Sequence, residues 1–159
     1  MEEKKLAIIA TKGTLDWGYP PFILASTAAA LGYETEIFFT FYGLQLLKKD
    51  LKLEVSPLGN PGMPMPMGMD KWFPVLGTAL PGMQALMTSM MKKKMASKGV
   101  ASLEELRELS QEAHVKLIAC QMTDDLFEMD TSEFIDGVEY AGAARFFEFA
   151  GESDICLYI

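Results

Sequence analysis

Apolar positions along this chain change period several times, and each change marks a new element. Lys4 to Thr11 is a compact apolar run that predicts a strand, with Lys12-Gly13-Thr14 turning out of it. Pro20-Pro21 predicts a helix start, with the Ala-rich stretch Phe22 to Leu31 as its body and Gly32 as its stop. Glu34 to Thr40 predicts a second strand, and it alternates too little for a solvent-facing one, which suits a sheet covered on both faces. Tyr42 to Lys49 predicts a short helix and Leu51 to Val55 a third strand. Ser102-Leu103-Glu104-Glu105 has the outline of a capping box and opens an amphipathic helix through Glu112, with Leu103, Leu106 and Leu109 on one face. Val115 to Ala119 predicts a buried strand, followed by a turn into a helix with Thr123 as its N-cap. Ser132 to Ala150 contains a further helix ending at Gly151, and Asp154 to Ile159 is a closing strand.

Strands that alternate with helices imply a parallel sheet with right-handed crossovers. The expected fold is therefore a three-layer α/β/α sandwich with a mainly parallel sheet of about five strands. At 159 residues the chain suits one domain, here residues 1–159, with an insert at about 57–98 that breaks the rhythm. Within the insert, Asn60 to Met69 cannot be regular helix or central strand, because its prolines lack donors and its glycines stay loose. Twenty uncharged residues run from Trp72 to Met91, and Lys92-Lys93-Lys94 follow. Length and basic flank invite a transmembrane reading. Pro74, Gly77, Pro81, Gly82, Gln84, Thr88 and Ser89 make the stretch only mildly apolar, however, so a Met/Leu surface for another subunit, another protein or a bilayer interface is preferred. Met63, Met65, Met67 and Met69 alternate, and thioethers are soft ligands for Cu(I). No Cys or His in the insert supports a copper site, so a hydrophobic lid or interface loop is the reading kept.

Charge narrows the partners. A net charge of −8 leaves no basic face for nucleic acid. One histidine excludes a His-rich metal site, and nothing in the sequence calls for a cofactor. Met1-Glu2-Glu3-Lys4-Lys5 leads straight into a strand without a long apolar leader, so a reducing cytoplasm is the expected setting.

Cys120 is the principal chemical candidate. It stands where the strand Val115 to Ala119 ends, and ligands of open α/β sheets bind outside the carboxyl ends of the strands. Backbone N–H groups and the helix dipole at such a position favour a thiolate, the nucleophilic form, while Asp124 and Asp125 oppose that charge if they turn toward it. The opposing reading is a small buried apolar residue closing a strand. Lys12 and Thr11 belong to the first strand-end loop and are expected to face the same crevice; the plainer outcome for Lys12 is a solvated loop lysine. His114 lies at the other end of the cysteine strand, roughly 20 Å away, and is no base for Cys120. Cys156, between Ile155 and Leu157, reads as core. The carboxylate pairs Asp124/Asp125 and Glu133/Asp136 read as caps and turns rather than acid–base sets.

Leu117-Ile118-Ala119-Cys120-Gln121-Met122-Thr123 resembles the cysteine motif of the DsrE/DsrF-like sulfur-relay family, especially its DsrE2-type branch. The resemblance extends over most of the chain: the opening strand, the Ala-rich helix, Glu34 to Thr40 followed by Phe41-Tyr42-Gly43-Leu44, the Met/Pro/Gly-rich insert and the closing strand. Asp124-Asp125-Leu126-Phe127 departs from the pattern, since related sequences are more often apolar there. The resemblance implies a sulfur carrier holding sulfane sulfur on Cys120, as a persulfide or thiosulfonate, with Lys12, Thr11, Gln121, Met122 and Thr123 around the bound species. It also implies donor and acceptor proteins or small sulfane-sulfur compounds as partners, and a homotrimer or hexamer. Two alternatives stand beside it. One is a non-catalytic module that docks a partner or membrane surface through the insert, with Cys120 structural. The other is a thiol enzyme such as a reductase, which the lack of a second cysteine near Cys120 in sequence weakens.

Overall fold

The computed structural model describes residues 3–58 and 75–159. The chain divides into two compact units: Met1–Gly13, Trp17–Leu51 and Leu103–Ile159 form the first, and Thr14–Asp16 with Lys52–Ser102 the second.

The first unit holds a five-stranded, all-parallel sheet of β1 (Lys5–Ala10), β2 (Glu34–Phe39), β3 (Lys116–Cys120), β4 (Val138–Ala141) and β5 (Ile155–Tyr158), in the order β4-β3-β2-β1-β5. Three helices are α1 (Leu15–Ala30), α3 (Leu103–Glu112) and α5 (Ala143–Ala150), and a short α4 (Gln121–Phe127) follows β3 directly. Two consecutive residues show the layering. Phe38 stacks on Phe146 of α5 with ring centroids 5.0 Å apart, and Phe39 meets Phe22 of α1 at 5.8 Å. Side chains alternate across a strand, so these two contacts lie on opposite faces of the sheet. The expected α/β/α sandwich is thus the observed fold. Ile8, Ile37, Phe39 and Leu117 are fully or almost fully buried, which explains why the central strands lack a polar face.

Five strands were expected, but one of them is different. Leu51 to Val55 belongs to no ladder, whereas Val138–Ala141 joins the sheet beside β3. Leu51, Leu53 and Val55 are nevertheless buried. Backbone pairing decided otherwise: the Val55 amide donates to the Thr88 hydroxyl at 3.0 Å and its carbonyl accepts from Gln84 at 2.9 Å. β4 has no strong period in sequence, being an edge strand of four residues with Glu139 and Tyr140 exposed. The first helix also differs. It begins at Leu15, so Pro20 and Pro21 lie inside it rather than at its start. Its end is as expected, with Gly32 at φ +85° just beyond.

Phe41–Leu47 is a 3₁₀ segment rather than an α-helix. A Cβ on Gly43 would collide with the Ala10 carbonyl, so glycine lets this segment press against the end of β1. Buried Arg107 of α3 donates to the Leu46 and Lys48 carbonyls at 2.9 and 2.6 Å and secures its far end.

In the second unit, α2 (Met83–Ser97) follows a 3₁₀ turn (Val75–Ala79). Asp16 accepts from the Ser56 amide at 3.1 Å and from its hydroxyl at 2.9 Å. No described helix is long and apolar enough to cross a membrane. The alternating Met63, Met65, Met67 and Met69, and Trp72, lie outside the described residues.

Candidate functional site

Because all five strands are parallel, Thr11, Thr40, Cys120 and Ile159 leave the sheet along one edge. Cys120 ends β3 and is the N-cap of α4, with φ −68° and ψ 107°. The expected cap was Thr123; it is instead the third residue of α4 and completely buried. Cys120 is only 4% exposed and packs with Phe38, Ile118, Phe146 and Phe149. Gln121 and Met122, next in the chain, are exposed.

Thr123 ties α4 to the end of β2. Its hydroxyl lies 3.2 Å from that of Thr40 and accepts from the Phe41 amide at 3.3 Å. Phe41 itself has φ +49°, a left-handed conformation that a bulky residue rarely adopts. A fully buried hydroxyl with these partners is part of the framework under Cys120.

Thr11 and Lys12 leave the same sheet edge, but β2 stands between β1 and β3, which puts them about two strand spacings, about 10 Å, to one side. The Thr11 hydroxyl donates to the Ile159 carbonyl at 3.0 Å, and the Lys12 ammonium sits 4.0 Å from the Trp17 ring centre and 5.9 Å from that of Tyr158. Lys12 is therefore placed against aromatic rings.

Asp124 and Tyr140 emerge from the structure as neighbours of the site. Asp124 is buried, and its Oδ1 has no hydrogen-bond partner among the described residues. Burial, and then the charge of Asp125, push its carboxyl above the usual aspartate range. Tyr140 pairs in register with Ala119, one residue before Cys120, and its phenol is raised by burial and then by Asp124. Sequence could not show this, because which of two adjacent aspartates turns inward depends on packing.

Below the sheet edge, Glu36 is completely buried and accepts from Arg145 at 3.0 and 3.2 Å and from Lys116 at 3.1 Å. This network joins α5, which packs against Cys120, to β2 and β3. The second cysteine corrects an expectation. Cys156 is exposed, because β5 is an edge strand and its residues lack a covering neighbour on one side. Among the described residues no group of three His, Cys, Asp or Glu side chains is placed to hold a metal ion.

A parallel five-stranded α/β domain with a cysteine closing its third strand defines a recognisable class, and the chain belongs to the DsrE/DsrF/DrsH-like family, whose model matches residues 2–158. Among curated relatives it is 84% identical over 159 residues to "Sulfur carrier protein DsrE2" of Allochromatium vinosum, covering 100% of both chains. It is 33% identical over 164 residues to "Uncharacterized protein YrkE" of Bacillus subtilis, covering 99% of this chain and 98% of that one. Among solved structures, the ychN protein from E. coli shares the fold with a TM-score of 0.56 at 12% identity, over 98% and 99% of the two chains.

Proposed function

We propose that this protein is a sulfur carrier that holds sulfane sulfur on Cys120 and passes it between donor and acceptor thiols. The observation that carries the reading is the place of Cys120: it ends a central parallel strand and caps the helix that follows, at the sheet edge where such folds bind ligands. The name of the Allochromatium vinosum relative supports the same role.

In the loading step the Cys120 thiolate attacks the outer sulfur of a donor persulfide, R–S–SH. The donor S–S bond breaks, a bond from Sγ to the transferred sulfur forms, and the donor departs as its thiolate. Oxidation state moves with the sulfur, so no external oxidant is needed. An acceptor thiolate reverses the sequence. A thiosulfonate is the alternative cargo, formed when Cys120 attacks tetrathionate and thiosulfate leaves. Gln121 and Met122 border the bound species in this reading, and Thr11 and Lys12 stand farther along the edge. A homotrimer or hexamer is part of the same reading, on family resemblance.

Intact mass after exposure to polysulfide or tetrathionate tests it. Polysulfide should add mass in ~32 Da steps, and Cys120→Ser should abolish either adduct. The near-complete burial of Cys120 favours one second reading, in which the thiol is core and the protein docks partners without chemistry. No uptake in the native protein would establish that reading instead, whereas undiminished uptake in Cys120→Ser would move the chemistry to the exposed Cys156.

A further inference from the structure

Around α4 the surface is unusually apolar for a chain of net charge −8. Phe41 is 45% exposed, Tyr42 65%, Met122 66%, Leu126 63% and Phe127 40%. They are contiguous. The Phe127 ring meets Phe41 edge-on at 6.2 Å and stacks on Tyr42 at 5.8 Å, while Met122 and Leu126 follow each other at i, i+4 on α4. α4 has seven residues and is about 10 Å long, so the patch lies within one short helix length of its cap, Cys120.

Two features mark the patch as a surface kept for a partner. Phe41 holds a left-handed backbone, stabilised by the Thr123 hydroxyl, and that conformation leaves its ring half-exposed beside Phe127. The rim is acidic as well. Between Lys116 and Arg145 the chain has no Lys or Arg, and Asp125 and Glu128 are exposed on and just after α4. The nearby lysines are engaged: Lys48 pairs with Glu133 at 2.9 Å, and Lys49 donates to the Ser132 carbonyl at 3.0 Å.

Resting on Cys120 as the sulfur acceptor, we propose that Phe41, Tyr42, Met122, Leu126 and Phe127 form the docking surface for a thiol-bearing partner protein whose face is apolar at the centre and rich in Lys or Arg at the rim. Charge complementarity selects this occupant. In a two-fold contact a second copy would bring its own acidic rim against Asp125 and Glu128, and an anionic bilayer would be repelled in the same way. Large apolar anchors inside a charged rim are the usual build of such interfaces. The docked partner presents its persulfide to Cys120, and sulfur moves by the exchange written above, with the donor cysteine leaving as thiolate.

The test uses synthetic peptides that carry one cysteine persulfide, flanked by Leu and Lys in one and by Leu and Glu in the other, with glutathione persulfide as a reference donor. Native protein should take sulfur from the Lys peptide at least about tenfold faster than from the Glu peptide, with the advantage shrinking as salt rises. Phe127→Ala should slow uptake from both peptides at least about tenfold while uptake from glutathione persulfide stays unchanged, and Asp125→Lys with Glu128→Lys should invert the ratio. Leu31→Ser, an exposed apolar change on another element, should leave the ratio unchanged. A native ratio near one with normal uptake from glutathione persulfide overturns the docking surface and leaves the carrier reading standing. Loss of an oligomer in Phe127→Ala by sedimentation, together with a native ratio near one, also overturns it and assigns the patch to a second copy. No uptake by native protein from any of the three donors defeats the carrier reading itself.

Discussion

Thr123 accepts a hydrogen bond from the Phe41 amide, and this contact helps hold the helix that follows Cys120 against the end of the neighbouring strand. Phe41 is strained and Thr123 is completely buried, with the Thr40 hydroxyl 3.2 Å away as its second partner. The cysteine backbone is fixed by the strand ladder on one side and by this clamp on the other.

Thr123→Val keeps the shape and removes the acceptor. The unsatisfied Phe41 amide and the freed backbone should lower stability by about 1–3 kcal/mol. Thr123→Ser retains the hydroxyl and loses one methyl, so its cost should be nearer ~1 kcal/mol. Urea midpoints of the two variants check the order. Equal losses would show that packing, and not the hydrogen bond, holds the clamp.

The two cysteines should label in the order of their exposure. Cys156 on the open edge strand should react with iodoacetamide well before Cys120, which is almost fully covered. Peptide mapping after short exposure measures this. Faster labelling of Cys120 would mean that α4 opens readily in solution. After sulfane loading, by contrast, the added sulfur should be found on Cys120.

Arg145→Ala leaves the buried Glu36 carboxylate with Lys116 as its remaining partner. The cost should be roughly 2–3 kcal/mol, below the full value for breaking a buried pair because Arg145 is partly solvated and Lys116 stays. Glu36→Gln in the Arg145→Ala background should recover much of this, since no charge is then buried. Thermal unfolding of the single and double variants decides it.

Asp124 gives a pH dependence of definite sign. Its carboxyl is raised in the folded protein, so the folded state binds this proton more tightly than the unfolded state does. Its contribution to stability is therefore greatest below the ordinary aspartate range and declines as pH rises to and through the raised folded value. Asp124→Asn removes the ionisation, so its stability relative to native protein should improve between acid and neutral pH. Denaturation series at several pH values test this, and an unchanged difference across the series would show that Asp124 ionises without cost.

Much of the fold was legible because it depends on local pattern. The apolar runs Lys4 to Thr11 and Val115 to Ala119 and the weakly alternating Glu34 to Thr40 predict the strands found at Lys5–Ala10, Lys116–Cys120 and Glu34–Phe39, and the capping outline at Ser102 predicts α3 at Leu103–Glu112. The cysteine's position at a strand end followed from the same reading, since the apolar run stops there. Other features depend on which elements become neighbours. Leu51 to Val55 has a strand's alternation but finds its hydrogen bonds on Thr88 and Gln84, whereas the weakly patterned Val138–Ala141 wins the place beside β3. Strand order put Cys156 on an open edge and Lys12 two strands from Cys120. The inward turn of Asp124, the Thr123 clamp and the burial of Glu36 between Arg145 and Lys116 were likewise decided in three dimensions. Periodicity encodes how much of a residue is covered, but not by what. The partner of a polar group is chosen only when distant segments pack.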